Sequence, residues 1–233
     1  APTGSGKTIV GAAVQKLLGR KTIYVCTTKS LQDQVLTDFP YARVLKGRAN
    51  YSCPKMPKLN ASYCVKGCEL FCTYKRAKKE ALDSEMAVLN MSYFLSEANY
   101  VGTFSHDLMQ DRLLLIDEGD TVEDELMGFI QLQIGQEQLA KLQVEAPKYK
   151  TKFESWVEWA TPALTQVTNR LAALASLMEN ATWDTMEYKT LKEFKDLHAF
   201  EGRLKFFVNN VDATWVWYPE EARWTFKPVW VSK

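Results

Sequence analysis

The first eight residues of the chain read APTGSGKT, from Ala1 to Thr8. Glycines at positions 4 and 6 allow the backbone to wrap closely around an anion, so that successive N–H groups point at phosphate oxygens. The dipole of a following helix adds positive potential at the same place. In such a loop Lys7 reaches the β- and γ-phosphates, and the Thr8 hydroxyl ligates Mg²⁺. We therefore predict a nucleoside triphosphate site, formed by Thr3, Gly4, Ser5, Gly6, Lys7 and Thr8.

Helices and strands alternate after this loop. The pattern predicts a helix over 7–18 that Gly19 ends, a buried strand over 22–26, a helix over 30–38 and a short strand over 43–45. This rhythm predicts an α/β fold, in which helices cover a parallel sheet. The first helix is predicted to be amphipathic, with apolar residues at helical spacing: Ile9, Val10, Ala13, Val14 and Leu17.

A second motif follows an apolar strand predicted over 113–116, which ends in Asp117 and Glu118. In ATPases with a phosphate-binding loop, an Asp at this place holds Mg²⁺, and a Glu orients and polarises the water that attacks the γ-phosphate. The carboxyl ends of strands are also where α/β sheets bind ligands. The predicted catalytic residues are therefore Lys7 and Glu118, and the predicted magnesium ligands are Thr8 and Asp117.

A polar, basic segment over 46–75 lies between the two motifs and holds four of the five cysteines. If the part over 64–72 is helical, its three thiols share one face. Four thiolates suit Zn²⁺ or a [4Fe–4S] cluster, and the spacing alone does not choose between them. Structural zinc sites usually have closer Cys-x2-Cys pairs, which favours iron–sulfur. The spacing is Cys53-x10-Cys64-x3-Cys68-x3-Cys72.

Charge and composition exclude some classes of protein. The net charge of the 233-residue chain is +1, no apolar run approaches the length of a membrane span, and no signal peptide is visible. The charges are segregated, because 46–80 holds nine Lys and Arg against two acidic residues, and 117–137 holds seven acidic residues and no basic one. The basic segment suits a phosphate-rich partner that is not read by sequence. We expect an intracellular protein.

The C-terminal half has a different composition, since all seven tryptophans lie at or after Trp156. Its pattern is mostly helical from about position 137. A long helix is predicted over 152–178, where Pro162 should kink or divide it. Alternation of apolar and polar residues over 204–231 predicts strands. These features indicate a second structural unit.

Four segments together resemble the XPD/DinG type of iron–sulfur helicase in superfamily 2. APTGSGKT resembles motif I of that family, and TTKSLQDQ at 27–34 resembles motif Ia, which contacts the DNA backbone. KGRANYSC at 46–53 resembles the start of a DinG-type cluster domain. AVLNMSY at 87–93 resembles the strand and loop that return to the motor core. The order of the segments also matches, and the resemblance covers residues 1 to about 120.

The resemblance implies an ATP-dependent DNA helicase that moves 5′→3′ on single strands, in DNA repair, replication or recombination. It implies ATP, Mg²⁺ and a [4Fe–4S] cluster as cofactors, with Cys53, Cys64, Cys68 and Cys72 as cluster ligands. The expected partners are single-stranded or forked DNA and a second RecA-like domain downstream. A phosphate-binding loop normally follows a strand, so we expect this sequence to be a piece of a longer protein that hydrolyses ATP poorly by itself.

The implied fold is a RecA-like parallel sheet with a Cys-rich iron–sulfur insertion and a mostly helical, Arch-like insertion. The predicted divisions are the first part of motor domain 1 at 1–45, the cluster domain at 46–80, the continued motor domain at 81–128, the Arch-like domain at 129–210 and strands returning to the motor domain at 211–233.

The predicted nucleic-acid contacts come from motif Ia and from the basic segment, where tyrosines that alternate with cations are suited to stack on bases. Packing within the fold is the alternative for these aromatic residues. The predicted contacts are Thr28, Lys29, Gln32, Lys46, Arg48, Tyr51, Lys75 and Arg76.

The chain departs from the family at motif II, where Asp-Glu-Gly-Asp at 117–120 replaces the usual Asp-Glu-Ala-His. The metal and water roles carry over to the Asp-Glu pair, and the role of the His has no assigned counterpart in Asp120. Two other functions remain open from the sequence. One is an ATPase that remodels nucleic-acid complexes without unwinding, and the other is a zinc-stabilised nucleic-acid-binding module without motor activity.

Overall fold

The chain folds into two compact units, Ala1–Glu125 and Leu126–Lys233. No helix among the described residues combines the length and the apolar character that crossing a membrane requires. The nucleotide-binding residues predicted from the sequence belong to the first unit. The computed structural model describes residues 6–64, 72–101, 111–179 and 187–229.

Within the described residues, the first unit contains a four-stranded parallel sheet in the order β2-β3-β1-β4. Neighbouring strands pair in parallel throughout it. The two inner strands are buried along nearly their whole length, as expected for a parallel sheet that is covered on both faces. The sequence predicted β4 with both of its ends correct. The strands are β1 (Thr22–Cys26), β2 (Ala42–Leu45), β3 (Met86–Asn90) and β4 (Leu113–Ile116).

Helix α1 (Lys7–Leu18) connects the predicted nucleotide loop to β1, and helix α2 (Lys29–Asp38) connects β1 to β2. Gly6 and Gly19 flank α1 with φ of 76° and 61°, which is the left-handed region that glycine adopts without a steric penalty. The Thr28 hydroxyl caps α2 by accepting the backbone N–H of Leu31 at 3.3 Å. Both helices agree with the sequence prediction to within one residue.

The apolar stripe predicted for α1 is exposed instead of packed on the sheet. Ile9 is 67% exposed and Leu17 is 86% exposed. The buried residues of the helix are Ala12 and Gln15. Small residues make the contact with the sheet, since an added Cβ at Gly11 would lie 3.2 Å from the side chain of Leu115 in β4. The spacing predicted an amphipathic helix, and in the structure its apolar face is exposed.

The Cys-rich insertion has little regular structure, as the sequence predicted. It contains short 3₁₀ turns at Arg48–Asn50 and Ala61–Tyr63. The backbones of Cys64 and Cys72 are extended, so the helix that would place the three thiols on one face does not include these two residues. The residues at 65–71 lie outside the described part of the chain. Helix α3 (Thr73–Asp83) begins directly after Cys72.

A buried polar cluster joins α3 to the end of α4 (Met91–Ser96). Glu97 is 3% exposed, and Lys78 Nζ lies 2.9 Å from each of its carboxylate oxygens. The Tyr93 hydroxyl donates to Glu97 at 2.7 Å and lies 2.7 Å from the Tyr74 hydroxyl. Burial, followed by these hydrogen bonds, raises the pKa of Tyr93 far above its usual value, so its hydroxyl stays protonated.

The second unit combines helices with a three-stranded antiparallel sheet in the order β5-β7-β6, counted over the described residues. Two long helices pack together, and their apolar side chains form a core with the sheet. Trp156, Phe200, Phe207 and Phe226 are fully buried there. The elements are α5 (Val122–Ile130), which begins in the first unit, β5 (Leu132–Gly135), α6 (Gln136–Leu142), α7 (Phe153–Glu179), α8 (Tyr188–Asn210), β6 (Trp215–Pro219) and β7 (Arg223–Pro228).

One sequence prediction for this unit needs correction: the strands predicted to begin at position 204 begin at Trp215, because α8 extends to Asn210. Of the two effects predicted for Pro162, a kink or a division, the structure excludes division, since α7 continues through it. Strand β7 pairs with β5 and β6, and the return of the strands at 211–233 to the motor domain stays a prediction.

Candidate active site

The beginning of α1 forms one wall of a cavity of about 290 Å³ in the first unit. Lys7, the first residue of the helix, lines this cavity, and Thr8 follows it. Gly6 immediately precedes the helix, with its positive φ. The predicted phosphate-loop residues Thr3, Gly4 and Ser5 lie outside the described residues. The cavity is lined by Lys7, Gly11, Tyr24, Leu115, Ile116, Asp117, Glu118, Gly119 and Asp120.

Strand pairing brings Asp117 to the same place as α1. Strands β1 and β4 are neighbours, and Asp117 N–H donates to the Val25 carbonyl at 2.8 Å, directly beyond β4. The Tyr24 hydroxyl donates to Asp117 Oδ2 at 2.8 Å and lies 3.4 Å from Thr8 Oγ1. The two predicted magnesium ligands, Thr8 and Asp117, are therefore bridged by one phenol.

Asp117 is held by a second donor. Its Oδ1 atom accepts the backbone N–H of Glu118 at 3.0 Å. Together with the Tyr24 hydroxyl on Oδ2, this bond fixes the orientation of the carboxylate. Glu118 itself has φ 55° and ψ 51°, a left-handed conformation that is uncommon for residues other than glycine. Its carboxylate Oε2 accepts the Thr27 hydroxyl at 2.6 Å.

Burial keeps the Tyr24 hydroxyl and the Cys26 thiol of β1 neutral beside Asp117 and Glu118. It raises the pKa of Tyr24 far above its usual value, and the hydrogen bond to Asp117 adds to this effect while the one to Thr8 opposes it. Burial also raises the pKa of Cys26 to about 12, and the charges of Asp117 and Glu118 contribute. Cys26 is fully buried, which agrees with its interpretation as a core residue.

The oxygen ligands of this site suit magnesium. Mg²⁺ prefers hard oxygen ligands and usually keeps several waters, so one or two protein ligands together with substrate phosphates suffice. Thr8 and Asp117 supply a hydroxyl and a carboxylate next to each other. Within the described residues no group of three or more His, Cys, Asp or Glu side chains forms a metal site. A magnesium site of the nucleotide-dependent kind does not need such a group.

Asp120 lies at the position where the XPD/DinG-type family, which the sequence resembles, has a His. It is exposed, lines the cavity and belongs to the short 3₁₀ turn Gly119–Thr121 that follows Glu118. A carboxylate there adds negative charge beside the place predicted for phosphates.

The predicted nucleic-acid residues of motif Ia lie at the N-terminus of α2. Thr28 and Lys29 are exposed there. Gln32 differs, because its side chain is fully buried and its amide oxygen and nitrogen have no hydrogen-bond partner. In this conformation Gln32 does not reach the surface, and its role in binding nucleic acid stays a prediction.

The predicted contacts of the basic segment fall into three groups. Lys75 and Arg76 are exposed on α3. Lys46 pairs with Asp33 at 3.1 Å. The other two pack against Tyr74: the Arg48 guanidinium lies 5.1 Å from the centre of that ring, and the Tyr51 ring meets it edge-on at 5.6 Å.

The Tyr51 hydroxyl accepts the Lys46 backbone N–H at 3.0 Å. Tyr51 is thus engaged within the fold, the alternative that the sequence left open. Its contact with nucleic acid stays a prediction.

The structure describes three of the four clustered cysteines, and no disulfide bond joins any of these three to another described cysteine. Cys53 and Cys72 are buried, and Cys64 is half-buried. A hydrogen bond of 2.8 Å from the Thr73 hydroxyl to the Ser52 carbonyl joins the residues next to Cys53 and Cys72. The described thiols do not form a metal-binding group of three, and Cys68 lies outside the described residues. The iron–sulfur cluster therefore stays a prediction.

Sequence reasoning missed two residues of the site, Tyr24 and Thr27. Both belong to or directly follow β1, whereas their partners follow β4, more than 90 positions away. The available signal was weak: a phenol inside an otherwise apolar strand needs a polar partner when it is buried. Only the pairing of β1 with β4 identifies that partner.

Comparison with solved structures supports the architecture. The chain is similar to a structure described as "Truncated XPD", with a TM-score of 0.54 and 16% sequence identity, over 100% of this chain and 82% of that chain. At this identity the likeness concerns the fold alone. No protein-family model and no curated protein matches the sequence.

Proposed function

We propose that this protein is an ATP-dependent DNA helicase and that the unit Ala1–Glu125 is its first motor domain. The observation that carries the proposal is the convergence of Thr8, Tyr24 and Asp117, through one phenol, in a cavity that Lys7 and Glu118 also line. This combination of a cation, a hydroxyl and two carboxylates at the carboxyl ends of parallel strands suits a nucleoside triphosphate.

Each residue has a role in the proposed hydrolysis. Lys7 binds the β- and γ-phosphates, and Glu118 orients a water molecule toward the γ-phosphorus. The water oxygen bonds to that phosphorus while the bond to the β–γ bridging oxygen breaks, and ADP leaves with the electron pair. Glu118 takes the proton of the water and passes it to the released phosphate. Thr8 and Asp117 would hold Mg²⁺, which would supply positive charge to neutralise the phosphate oxygens.

The nucleic-acid part of the proposal rests on exposed cations and a helix terminus. Lys29 at the start of α2, and Lys75 and Arg76 on α3, are exposed cations of the same unit. Contacts of this kind bind phosphates without reading sequence, as a translocating motor requires. ATP-driven closure against a second motor domain would convert these contacts into steps, in the 5′→3′ direction that the resemblance implies.

The cofactor proposal includes a [4Fe–4S] cluster in the insertion. Cys53 and Cys72 support it, because both are buried thiols whose neighbouring residues are joined by a hydrogen bond. Cys64 and Cys68 complete the four thiolates that such a cluster needs.

The variant K7A tests the motor proposal in the full-length protein. We expect it to lower DNA-stimulated ATP turnover at least about a hundredfold, because it removes the cation that stabilises charge on the phosphates. The matched control is K21A, since Lys21 is exposed and its carbonyl, not its side chain, pairs with β4. Wild-type turnover by K7A would overturn the proposal.

A further inference from the structure

Thr27 makes a contact with Glu118 that the hydrolysis mechanism does not use. Its hydroxyl donates to Glu118 Oε2 at 2.6 Å, a short bond typical of a charged acceptor. Thr27 directly follows β1 and Glu118 comes two positions after β4. The parallel register pairs Val25 with Ile116, which places these positions side by side. The pairing of β1 with β4 therefore holds Thr27 and Glu118 next to each other.

The bond reduces the ability of Glu118 to act on a water molecule. The Thr27 hydroxyl occupies a lone pair of Glu118 Oε2 that a water molecule would otherwise use. The bond also directs the carboxylate toward the end of β1. Glu118 has a left-handed backbone, with φ of 55°. Such conformations are common where a residue alternates between two arrangements at a functional site.

The other neighbour of Thr27 is the start of α2. Thr28 is exposed and caps this ten-residue helix through Leu31 N–H. Lys29 is also exposed, and both residues are predicted to contact the DNA backbone. A phosphate at this terminus would accept from the same backbone N–H groups that Thr28 caps, one residue away from Thr27. Only the peptide bond between Thr27 and Thr28 therefore separates the predicted nucleic-acid contact from the residue that holds the Glu118 carboxylate.

We propose that Thr27 is a positioning residue that holds Glu118 away from the attacking water until nucleic acid binds at the start of α2. Binding releases the Thr27 hydroxyl, and Glu118 turns to the water. The inference rests on the proposed function, since it assigns to that site a means by which DNA stimulates ATP hydrolysis.

The test compares T27V and T27S in the full-length protein, with ATP turnover measured in the absence and presence of single-stranded DNA. Valine keeps the branched shape of threonine and removes the hydroxyl, whereas serine keeps the hydroxyl. We expect T27V to raise DNA-free turnover about tenfold, as for loss of a hydrogen bond to a charged group. Its stimulation by DNA shrinks by the same factor, and T27S behaves like the wild type.

Other outcomes overturn the inference. DNA-free turnover that is unchanged or lowered in T27V would exclude a restraining role. If T27V does not fold, as judged by its circular dichroism, T27A takes its place with the same expected result. K7A separates the two proposals. If K7A keeps full turnover, the proposed function fails. If K7A is inactive and T27V keeps the wild-type stimulation ratio, the role of Thr27 alone fails.

Discussion

Tyr24 shows how one side chain can organise a site that lies at the ends of two strands. Its ring is buried in β1, and only its hydroxyl reaches the cavity, where it meets Asp117 and Thr8. Asp117 is held on both oxygens, by Tyr24 and by the Glu118 backbone N–H. Outer groups that orient a metal ligand commonly contribute ten- to hundredfold to metal affinity. We therefore expect the phenol to support magnesium at the proposed site without being a ligand itself.

Replacement of Tyr24 by Phe tests this role. The Y24F variant keeps the buried ring and removes the donor to Asp117, so we expect the Mg²⁺ concentration for half-maximal ATP turnover to rise about tenfold. Turnover at saturating Mg²⁺ should change little. A magnesium titration of the full-length protein measures both quantities. Y41F is the control, because the Tyr41 hydroxyl donates to Gln15 at 3.2 Å, away from the cavity lining. An unchanged magnesium requirement in Y24F would contradict this role.

The elements around the insertion show what local sequence can and cannot predict. Strands such as β4 were predicted correctly because four apolar residues end abruptly at two carboxylates. The end of α8 was missed, although Phe200, Leu204, Phe207 and Val211 recur at spacings of four, three and four, which is the helical period. The strand prediction, which rests on apolar–polar alternation further along the chain, also covered this helical segment from position 204 onward. The Lys78–Glu97 pair was also beyond prediction, since the two residues lie on different elements.

The Lys78–Glu97 ion pair is expected to fix α3 to the end of α4. Glu97 has a 4% exposed side chain and Lys78 an 18% exposed one, so the pair is largely out of water. Removal of one partner leaves a buried charge uncompensated. We expect K78M to lower the free energy of unfolding by about 3 kcal/mol. Urea unfolding followed by circular dichroism provides the measurement.

The control for this pair is the adjacent K79M, whose exposed side chain should matter little. The double variant K78M/E97M should recover most of the loss, because it leaves no unpaired charge. Equal stability of K78M and K79M would show that the pair does not hold these helices together.

At the scale of the whole chain, the Cys-rich insertion lies within one crossover of the parallel sheet. Strands β2 and β3 pair in parallel, so the chain at 46–85 must cross between them. The insertion lengthens this crossover and, in the described residues, adds no strand to the parallel sheet. The cavity proposed to bind ATP is built from α1, β1 and β4, none of which belongs to that crossover. Loss of a metal centre from the insertion should therefore spare the proposed nucleotide site.

Metal analysis of the full-length protein, purified without oxygen, tests this separation. We expect about four iron atoms per chain and broad visible absorbance, as for a [4Fe–4S] cluster. Oxidative loss of the iron should abolish strand separation on a forked DNA and leave ATP binding unchanged. C53S should lack iron, whereas C26A should keep it, because Cys26 lies buried in β1. One zinc and no iron would replace the cluster by a zinc site, and loss of ATP binding with the iron would contradict the independence of the two sites.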